Sequence, residues 1–407
     1  MSRTTGIGAE RVEALLRERV DASGQFFSAE ADRLSRLCHK MAERFAREGR
    51  LVAFGASPAD RSDARHVAVE FVHPVIVGKR ALPALGLAGE GGQIAPQVAL
   101  EAEAEDIAMA FGDEPDILAA LAAARERGCL TIAFSAGSGA EWEFHLGAIS
   151  DPLIRQEVAE TLYHTLWEHV HIFLDNRGLL EGRAARPVHD SGASSFLYPF
   201  LGQQENDLDA ILADVKQSIL LKADEISALR RQTLTEYADE LVTAAGVVRE
   251  RLDAGGRIIA LGNGGSATDA MDVVADFRTP MFGGPPRRAL DLTEDTGIIT
   301  AVANDIGTDA IFLRQVIAYG RRGDVLMALS TSGNSLSVLE ALREARKRGL
   351  VTIAFVGYDG GNVEHNALAD HVVISRSENI PRIQEAHASG YHVLRELVEL
   401  ATPASAP

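Results

Sequence analysis

Residues 324–348 read DVLMALSTSGNSLSVLEALREARKR, and this stretch decides the fold class. It begins with an apolar run from Asp324 to Leu329, which predicts a buried strand. It continues through the loop Ser330–Ser335 into apolar residues spaced three and four apart, which predict a helix to Arg348. A strand that passes through a short loop into a helix is the repeating unit of a parallel α/β sheet.

The same unit recurs on both sides of this stretch. Apolar runs predict further strands at Arg257–Leu261, Leu350–Val356 and His371–Ser375. Periodic patterns predict further helices at Ser266–Phe277 and Ile380–Leu400. Strands that alternate with helices favour a doubly wound parallel sheet of the flavodoxin-like kind, with helices on both faces. The predicted fold class is therefore α/β.

The chain contains this unit twice. Pro115–Phe134 aligns without gaps to Leu336–Phe355, and 11 of the 20 positions are identical. Shorter matches at offsets of 206 to 228 residues flank this alignment. Such internal similarity predicts two tandem domains of one fold. We assign a degenerate copy to 1–180, a linker rich in Gly, Pro and Ser to 181–206, and a second copy to 207–407.

Composition and charge narrow the class of protein. The 407 residues are 46% hydrophobic and 24% charged, as in globular proteins with a sizeable core. With 40 basic and 58 acidic residues the net charge is -18, which argues against nucleic acid and an anionic membrane as partners. Cys38 and Cys129 are too few for a disulfide framework, and no apolar run has the length of a membrane span. We expect a cytoplasmic protein.

The loop Ser330–Ser335 is the strongest candidate for a binding site. It places four hydroxyl groups at the start of a predicted helix, where backbone N–H groups and the helix dipole favour an anion. Gly333 permits a tight turn there. A phosphate group is the expected ligand, and an ordinary capped turn is the alternative.

A second loop, Gly262–Ser266, also lies between a predicted strand and a predicted helix. Its three glycines let the backbone approach a ligand closely. In a doubly wound sheet both loops lie at the carboxyl ends of the strands, so they can line one crevice. The loop lacks the GxGxxG spacing of dinucleotide sites and the GKS or GKT ending of nucleotide P-loops, so no nucleotide cofactor is expected.

These motifs resemble SIS (sugar isomerase) domains, and most closely the bacterial sedoheptulose 7-phosphate isomerases, also called phosphoheptose isomerases. The similarity covers about residues 207–401 and includes GNGGSA at 262–267, STSGNS at 330–335 and RIQE at 382–385. It implies an enzyme that interconverts an aldose and a ketose and takes a phosphorylated sugar as its substrate. It also implies an assembly of four such domains, which a two-domain chain would reach as a homodimer. The substrate-binding residues that the resemblance implies are Asn263, Gly264, Ser266, Asp305, Ser330, Thr331, Ser332, Ser335 and Gln384.

The resemblance further implies a His and a Glu four residues apart on one helix, and a Gln and a His eight apart on the last helix. Such a set can bind zinc, or it can move a proton between adjacent carbons as acid and base. The first half holds the complete set, so its metal candidates are His66, Glu70, Gln156 and His164. The implied acid and base candidates of the two halves are Glu70, His164, Asp276 and His392.

The second half departs from this pattern at three positions, which hold Asp272, Asp276 and Pro381, while Gln384 and His392 are kept. A carboxylate in place of an imidazole makes a harder, oxygen-rich site that suits zinc less well.

The first half departs in the opposite way. Its counterpart of the phosphate loop holds Asp113 and Glu114, whose carboxylates would repel a phosphate. One hypothesis is therefore a composite site, with the phosphate loop from one half and the acid and base from the other. The alternative places Asp276 and His392 beside their own loop, without zinc. A non-catalytic module that binds a phosphosugar or a protein partner is a further alternative.

Overall fold

The computed structural model describes residues 8–74, 79–89, 92–175, 207–279 and 284–400, so the predicted linker at 181–206 lies outside the described residues. The described chain divides into two compact units. The N-terminal unit comprises Ala22–Asp224, and the C-terminal unit comprises Glu225–Pro407 with Met1–Asp21, each as far as it is described. The predicted ranges 1–180 and 207–407 follow the order of the copies along the chain and stay a prediction.

The N-terminal unit is built around a five-stranded sheet. Its strands are β1 (Leu51–Gly55), β2 (Ala84–Leu87), β3 (Ile107–Phe111), β4 (Leu130–Ala133) and β5 (Trp142–Glu143). The helices of this part of the chain are α1 (Ala9–Ala46), α2 (Pro58–Val72), α3 (Ile94–Glu101), α4 (Pro115–Glu126) and α5 (Pro152–Asp175). Strands β1, β3 and β4 are buried at every residue, because helices cover both faces of a doubly wound sheet.

The C-terminal unit repeats this architecture. Its strands are β6 (Ile258–Gly262), β7 (Ala289–Asp291), β8 (Val325–Ser330), β9 (Val351–Gly357) and β10 (His371–Ser375). The helices of this part of the chain are α6 (Leu208–Glu236), α7 (Ala238–Asp253), α8 (Gly265–Arg278), α9 (Thr296–Asp305), α10 (Ile311–Tyr319), α11 (Leu336–Arg348), α12 (Gly361–His365) and α13 (Ile380–Leu400). Among the described helices, none combines the length and the apolar character needed to cross a lipid bilayer.

The two sheets have the same topology. Their strand orders are β2-β1-β3-β4-β5 and β10-β9-β8-β6-β7, and every pair of neighbours is parallel. Both correspond to the order 2-1-3-4-5 of flavodoxin-like folds, which confirms the predicted fold class. The order reverses between β1 and β3 in one sheet and between β6 and β8 in the other, and ligands bind at such switch points.

Two long helices contribute to both units. Residues 12–20 of α1 lie in the core of the C-terminal unit, whereas Phe27–Ala46 lie in the core of the N-terminal unit. Helix α6 does the reverse, with Ile211–Ala223 in the N-terminal core and its later residues in the C-terminal unit. Each core therefore includes a helical segment that precedes the other copy in the sequence.

The structure agrees with most of the predicted elements of the second copy. The four predicted strands and three predicted helices lie within one residue of the observed ends. The prediction gave no bounds for β7 or for helices α6, α7, α9, α10 and α12. Strand β7 has only three residues and ends in Asp291, so it shows no apolar run. Helix α9 has no fully buried residue among those described, but Ile299, Val302 and Ala303 pack partly buried against the core. Their spacing of three and four residues is a helical signal that the prediction did not use.

Candidate functional site

The two predicted ligand loops lie side by side in the C-terminal unit. Strands β6 and β8 are neighbours, with Gly262 paired to Leu329, so the loops leave their carboxyl ends from adjacent positions. Asn263 Nδ2 donates a hydrogen bond to Ser337 Oγ at 3.0 Å, which joins the first loop to the first turn of α11. The loops therefore form one surface at the switch point of the sheet.

Glycine allows the close approaches in the first loop. Gly264 has a φ of 58°, where glycine is strongly favoured over other residues. A Cβ atom at Gly262 would lie 2.1 Å from the carbonyl oxygen of Ser266, and one at Gly265 would lie 2.2 Å from Gln384 Nε2. The Gln384 side chain, from α13, therefore packs directly on this loop.

The loop Ser330–Ser335 is fixed by the turns that follow β9. Gly333 has a φ of 62°, and a Cβ atom there would lie 2.2 Å from the carbonyl oxygen of Gly360. The Gly357 N–H donates to the Thr331 carbonyl at 3.0 Å, and the Val363 N–H donates to the Gly333 carbonyl at 3.1 Å. These backbone bonds set the loop conformation.

Helix α11 begins directly after this loop. Ser335 occupies the N-cap position with extended backbone, and its hydroxyl makes no capping hydrogen bond within the described part of the chain. The positive end of the helix dipole and the first N–H groups of α11 lie at the loop. Ser330 is buried, while Thr331 and Ser332 are partly exposed. This arrangement of amides and hydroxyls suits a phosphate group.

Helices α8 and α13 bring three predicted residues together in the C-terminal unit. His392 Nε2 lies 3.4 Å from Asp272 Oδ2 and 3.5 Å from Asp276 Oδ2, and all three side chains are buried. The two aspartates are one turn apart on α8, so they share a helix face. A buried imidazole within 3.5 Å of two carboxylates has the side chains that acid–base catalysis requires.

Two further residues support this group, and sequence reasoning gave neither a role. The Tyr391 hydroxyl donates to Asp272 Oδ2 at 3.0 Å. Arg395 Nε donates to the Asp276 carbonyl at 3.1 Å, and its guanidinium lies 5.0 Å from the ring centre of Phe277. A signal for the tyrosine existed, because the pair Tyr-His recurs in both copies. The counterpart of Arg395 at the same offset is Trp167, so the repeat contains no signal for the arginine.

The N-terminal unit has a matching group on α2 and α5. His66 Nε2 lies 3.4 Å from His164 Nε2 and 3.9 Å from Glu70 Oε1. The Tyr163 hydroxyl lies 2.9 Å from His66 Nδ1. Burial, with a smaller effect of His164, holds the pKa of His66 well below its usual value, so the ring is neutral. Gln156 Nε2 lies 3.5 Å from Ser62 Oγ, one turn before His66 on α2.

The donor set of the N-terminal group suits zinc. The ligand atoms of His66, Glu70 and His164 lie within 4.8 Å of one another. Tetrahedral zinc places neighbouring nitrogen donors about 3.3 Å apart, close to the separation of the two imidazoles. Two imidazoles and one carboxylate also form a common zinc ligand set. The corresponding C-terminal group is equally compact, but its two carboxylates suit zinc less well.

Carboxylates occupy the N-terminal counterpart of the phosphate loop. A Cβ atom at Gly112 would lie 2.3 Å from Glu114 Oε2 and 2.8 Å from Asp60 Oδ2. The Ser57 hydroxyl donates to the Asp60 carboxylate. Burial, together with the charge of Glu114, raises the pKa of Asp60 to about 6, although the Ser57 hydrogen bond opposes the shift. Sequence reasoning identified Asp113 and Glu114 at this loop but not Asp60.

One predicted substrate-binding residue lies apart from the described loops. Asp305 is exposed at the end of α9 and accepts a hydrogen bond from Asn304 Nδ2 at 2.7 Å. Within the described residues, no hydrogen bond joins it to the loop Ser330–Ser335. The other predicted substrate-binding residues lie in the two loops or, in the case of Gln384, against one of them.

Comparisons with known proteins agree with this architecture. The SIS domain model matches residues 223–357. The chain is 44% identical over 175 residues to a phosphoheptose isomerase of Chlorobaculum tepidum, an alignment that covers 42% of this chain and 83% of the relative. It is 42% identical over 186 residues to a phosphoheptose isomerase of Roseiflexus sp., covering 43% of this chain and 90% of the relative.

A solved structure is similar to nearly the whole chain. It is the C-terminal domain of glucosamine-fructose-6-phosphate aminotransferase from Francisella tularensis, with a TM-score of 0.58 and 12% identity, and the alignment covers 98% of each chain. At this identity the likeness shows the fold alone. The sequence relatives go further, because the alignments to them are well above 30% identical and cover most of their length. On that evidence the chain belongs to the SIS domain family.

Proposed function

We propose that the chain is a sugar-phosphate aldose–ketose isomerase of the phosphoheptose isomerase type. One observation carries the proposal: the hydroxyl-rich loop Ser330–Ser335 at the start of α11 lies in the same unit as a buried group of two carboxylates and an imidazole. The first feature suits a phosphate and the second suits proton transfer. The phosphoheptose isomerases that the chain resembles support the class of substrate.

The phosphate of the substrate binds at the loop Ser330–Ser335. The hydroxyls of Ser330, Thr331, Ser332 and Ser335 and the first N–H groups of α11 are its donors. The Asn263 side chain adds an amide beside the first turn of α11. Charge-assisted hydrogen bonds of this kind are stronger than neutral ones, so the phosphate dominates the affinity.

Proton transfer uses the C-terminal group. Aldose–ketose isomerisation moves a proton between adjacent carbons through an enediol. Asp276 removes this proton as the base and returns it to the neighbouring carbon. His392 protonates the carbonyl oxygen to give the enediol, and it takes a proton back from the hydroxyl of the neighbouring carbon as that carbon becomes the new carbonyl. Asp272 orients the imidazole and receives the Tyr391 hydrogen bond.

Zinc is proposed for the N-terminal group. His66, Glu70 and His164 would hold the ion, with Gln156 as a further donor on α5. Bound there, zinc would supply a positive charge that stabilises the buried carboxylate and joins α2 to α5. The neutral His66 is in the state that metal binding requires.

A second candidate function is a non-catalytic module that binds a phosphosugar or a protein partner. The observation that favours it is the pair Asp272 and Asp276, which replace the His and Glu that the first copy keeps. Such a module would hold the phosphate without moving a proton.

Proton exchange distinguishes the two candidates. Sedoheptulose 7-phosphate is incubated with the full chain in deuterated water, and carbon-bound deuterium is followed by NMR. An isomerase incorporates deuterium at the reacting carbon and forms the aldose phosphate, because the base exchanges its proton with solvent. Binding by calorimetry without deuterium incorporation would favour the non-catalytic module. The absence of both would contradict the isomerase and the phosphosugar-binding module, and would leave the module that binds a protein partner.

We also propose a cytoplasmic homodimer with four SIS domains. The proposal rests on the assembly implied by the family resemblance and on the composition. Light scattering at micromolar concentration should give twice the chain mass of 43.6 kDa. A monodisperse monomer would contradict the dimer.

A further inference from the structure

We infer that each chain binds a single phosphate group, in the C-terminal unit, because the N-terminal unit fills its equivalent pocket with its own carboxylates. Two units of one fold would otherwise offer two phosphate sites per chain. The inference rests on the proposed function, since it takes the loop Ser330–Ser335 as the phosphate site.

The sheet registers establish which positions of the two pockets correspond. Gly55 of β1 pairs with Phe111 of β3, as Gly262 of β6 pairs with Leu329 of β8. The residues between these pairs and the next helix are Gly112–Glu114 in one unit and Ser330–Ser335 in the other. The N-terminal loop is therefore three residues shorter and has no hydroxyl side chain.

The residues at the helix N-caps differ as well, with a carboxylate in one unit and a hydroxyl in the other. Glu114 is the N-cap of α4, as Ser335 is the N-cap of α11. A further difference lies at the start of α2. There Asp60 aligns with Ser266 at an offset of 206 residues, the offset that also relates Asp63 to Asp269. Two hydroxyls of the C-terminal pocket thus correspond to two carboxylates in the N-terminal pocket.

The two carboxylates occupy the N-terminal pocket. Glu114 Oε2 and Asp60 Oδ2 both lie within 3 Å of the position that a Cβ of Gly112 would take. The φ of Gly112 is 89°, and the absence of a side chain there admits both oxygens. Ser57, whose counterpart is Asn263, donates its hydroxyl to Asp60. The space next to the loop backbone is therefore filled by the protein itself.

Charge and backbone chemistry exclude an anion as well. Asp113 adds a third, exposed carboxyl group to the same loop, and its charge acts on the pKa of Asp60 in the same direction as that of Glu114. Helix α4 begins with Pro115, which has no N–H group, whereas α11 begins with Leu336, which has one. The N-terminal unit therefore has lost hydroxyl donors, lost an amide donor and gained negative charge at this position.

Equilibrium dialysis of the full chain with sedoheptulose 7-phosphate tests the inference. We expect saturation at one ligand per chain in the wild type, and a loss of at least tenfold in affinity in the double variant Ser330→Ala/Ser332→Ala. Saturation at two ligands per chain would overturn the single-site inference. An unchanged affinity in the double variant would overturn it as well. Binding of no ligand by the wild type would instead overturn the proposed function, and the inference with it.

Hydrogen exchange measured by mass spectrometry locates the site without mutation. Ligand should slow exchange in peptides that cover 330–338 and 262–267, and should leave peptides that cover 56–62 and 111–117 unchanged. Protection confined to the second pair of peptides would place the phosphate in the N-terminal unit and overturn the inference. Inorganic phosphate serves as a second probe, because it tests the anion site without the sugar.

Discussion

The two copies hold a buried side-chain group at the same place and give it different chemistry. In the N-terminal unit the group consists of two imidazoles and a carboxylate, whereas in the C-terminal unit it consists of two carboxylates and an imidazole. In both groups a pair of donor atoms lies 3.4 Å apart, and in both a tyrosine hydroxyl lies within 3.0 Å of a group member. The geometry is alike in the two copies while the donors differ: the N-terminal donors suit zinc, and the C-terminal donors suit the proton transfer proposed for them.

The loop Ser330–Ser335 and its N-terminal counterpart also differ in their side chains. The C-terminal loop presents hydroxyls at a helix start, and the N-terminal loop presents carboxylates at a helix that begins with proline. The N-terminal unit therefore combines the group with two imidazoles and the loop with carboxylates. The C-terminal unit combines the group with two carboxylates and the loop with hydroxyls. The two copies thus share a fold and differ in the chemistry of equivalent positions, and matched substitutions in the two units test each difference.

The largest expected effect is on catalysis. Asp276→Asn removes the proposed base without changing side-chain size, so kcat should fall by about 100-fold or more, as for other general bases. The matched variant Glu70→Gln should lower kcat by less than tenfold. Deuterium incorporation into the substrate measures both. The reverse order of effects would move the catalytic role to the N-terminal group.

Metal content sharpens the contrast between the groups. Purified wild-type chain should contain one zinc per chain, because only the N-terminal group has two imidazoles among the described candidate groups. His164→Ala should remove it, and the matched variant His392→Ala should retain it. Elemental analysis by mass spectrometry gives the metal content of each. Zinc that is lost with His392 and kept without His164 would show that the assignment is wrong.

Phosphate binding separates the two loops. Ser330→Ala/Ser332→Ala should raise the Kd for a sugar phosphate at least tenfold, because two hydroxyl donors to a charged group are lost. Asp113→Ala, in the matched N-terminal loop, should change the Kd by less than twofold. Calorimetry measures both values. Equal effects of the two variants would contradict the difference between the loops.

The smallest expected effect is a pH-dependent gain in stability. The pKa of Asp60 is raised to about 6 from an ordinary value of 3.8, so folding favours its protonated form. Its ionisation therefore lowers wild-type stability as the pH rises from about 4 through 6. Asp60→Asn should raise the free energy of unfolding by about 1–3 kcal/mol at pH 8. Urea unfolding at pH 8 and pH 4 measures this gain, and a gain of the same size at pH 4 would exclude ionisation as its cause.

The sequence predicted those features that local pattern or internal repetition determines. The strand–loop–helix around Ser330–Ser335 has an apolar run and a helical period. The internal alignment showed that His66 and Glu70 are equivalent to Asp272 and Asp276. The carboxylates that fill the N-terminal pocket were only partly foreseen. Asp60 reaches Gly112 because β1 and β3 are neighbours in the sheet. That pairing is a long-range contact, which local sequence pattern does not specify.

Two other features have no local signal. The Arg395 side chain acts on the carbonyl of Asp276, a contact that depends on how α13 packs on α8. The sharing of α1 and α6 between the cores is equally hidden, because an apolar helix face does not specify which core will cover it. Hydrophobic periodicity therefore predicts the helices and strands, but it does not predict which core or which neighbouring helix each of them packs on.

That sharing has a consequence for how the chain can be divided. Val12, Leu15, Leu16 and Val20 of α1 are buried in the core of the C-terminal unit. Each such side chain contributes roughly 1.5–3 kcal/mol when it is fully buried. A polypeptide that begins at residue 207 would lack all four, and the complementary polypeptide that ends before 207 would lack the α6 residues of its own core. Each copy produced alone after division at residue 207 would therefore lack part of its own core, and the unit that folds is not the unit that was repeated.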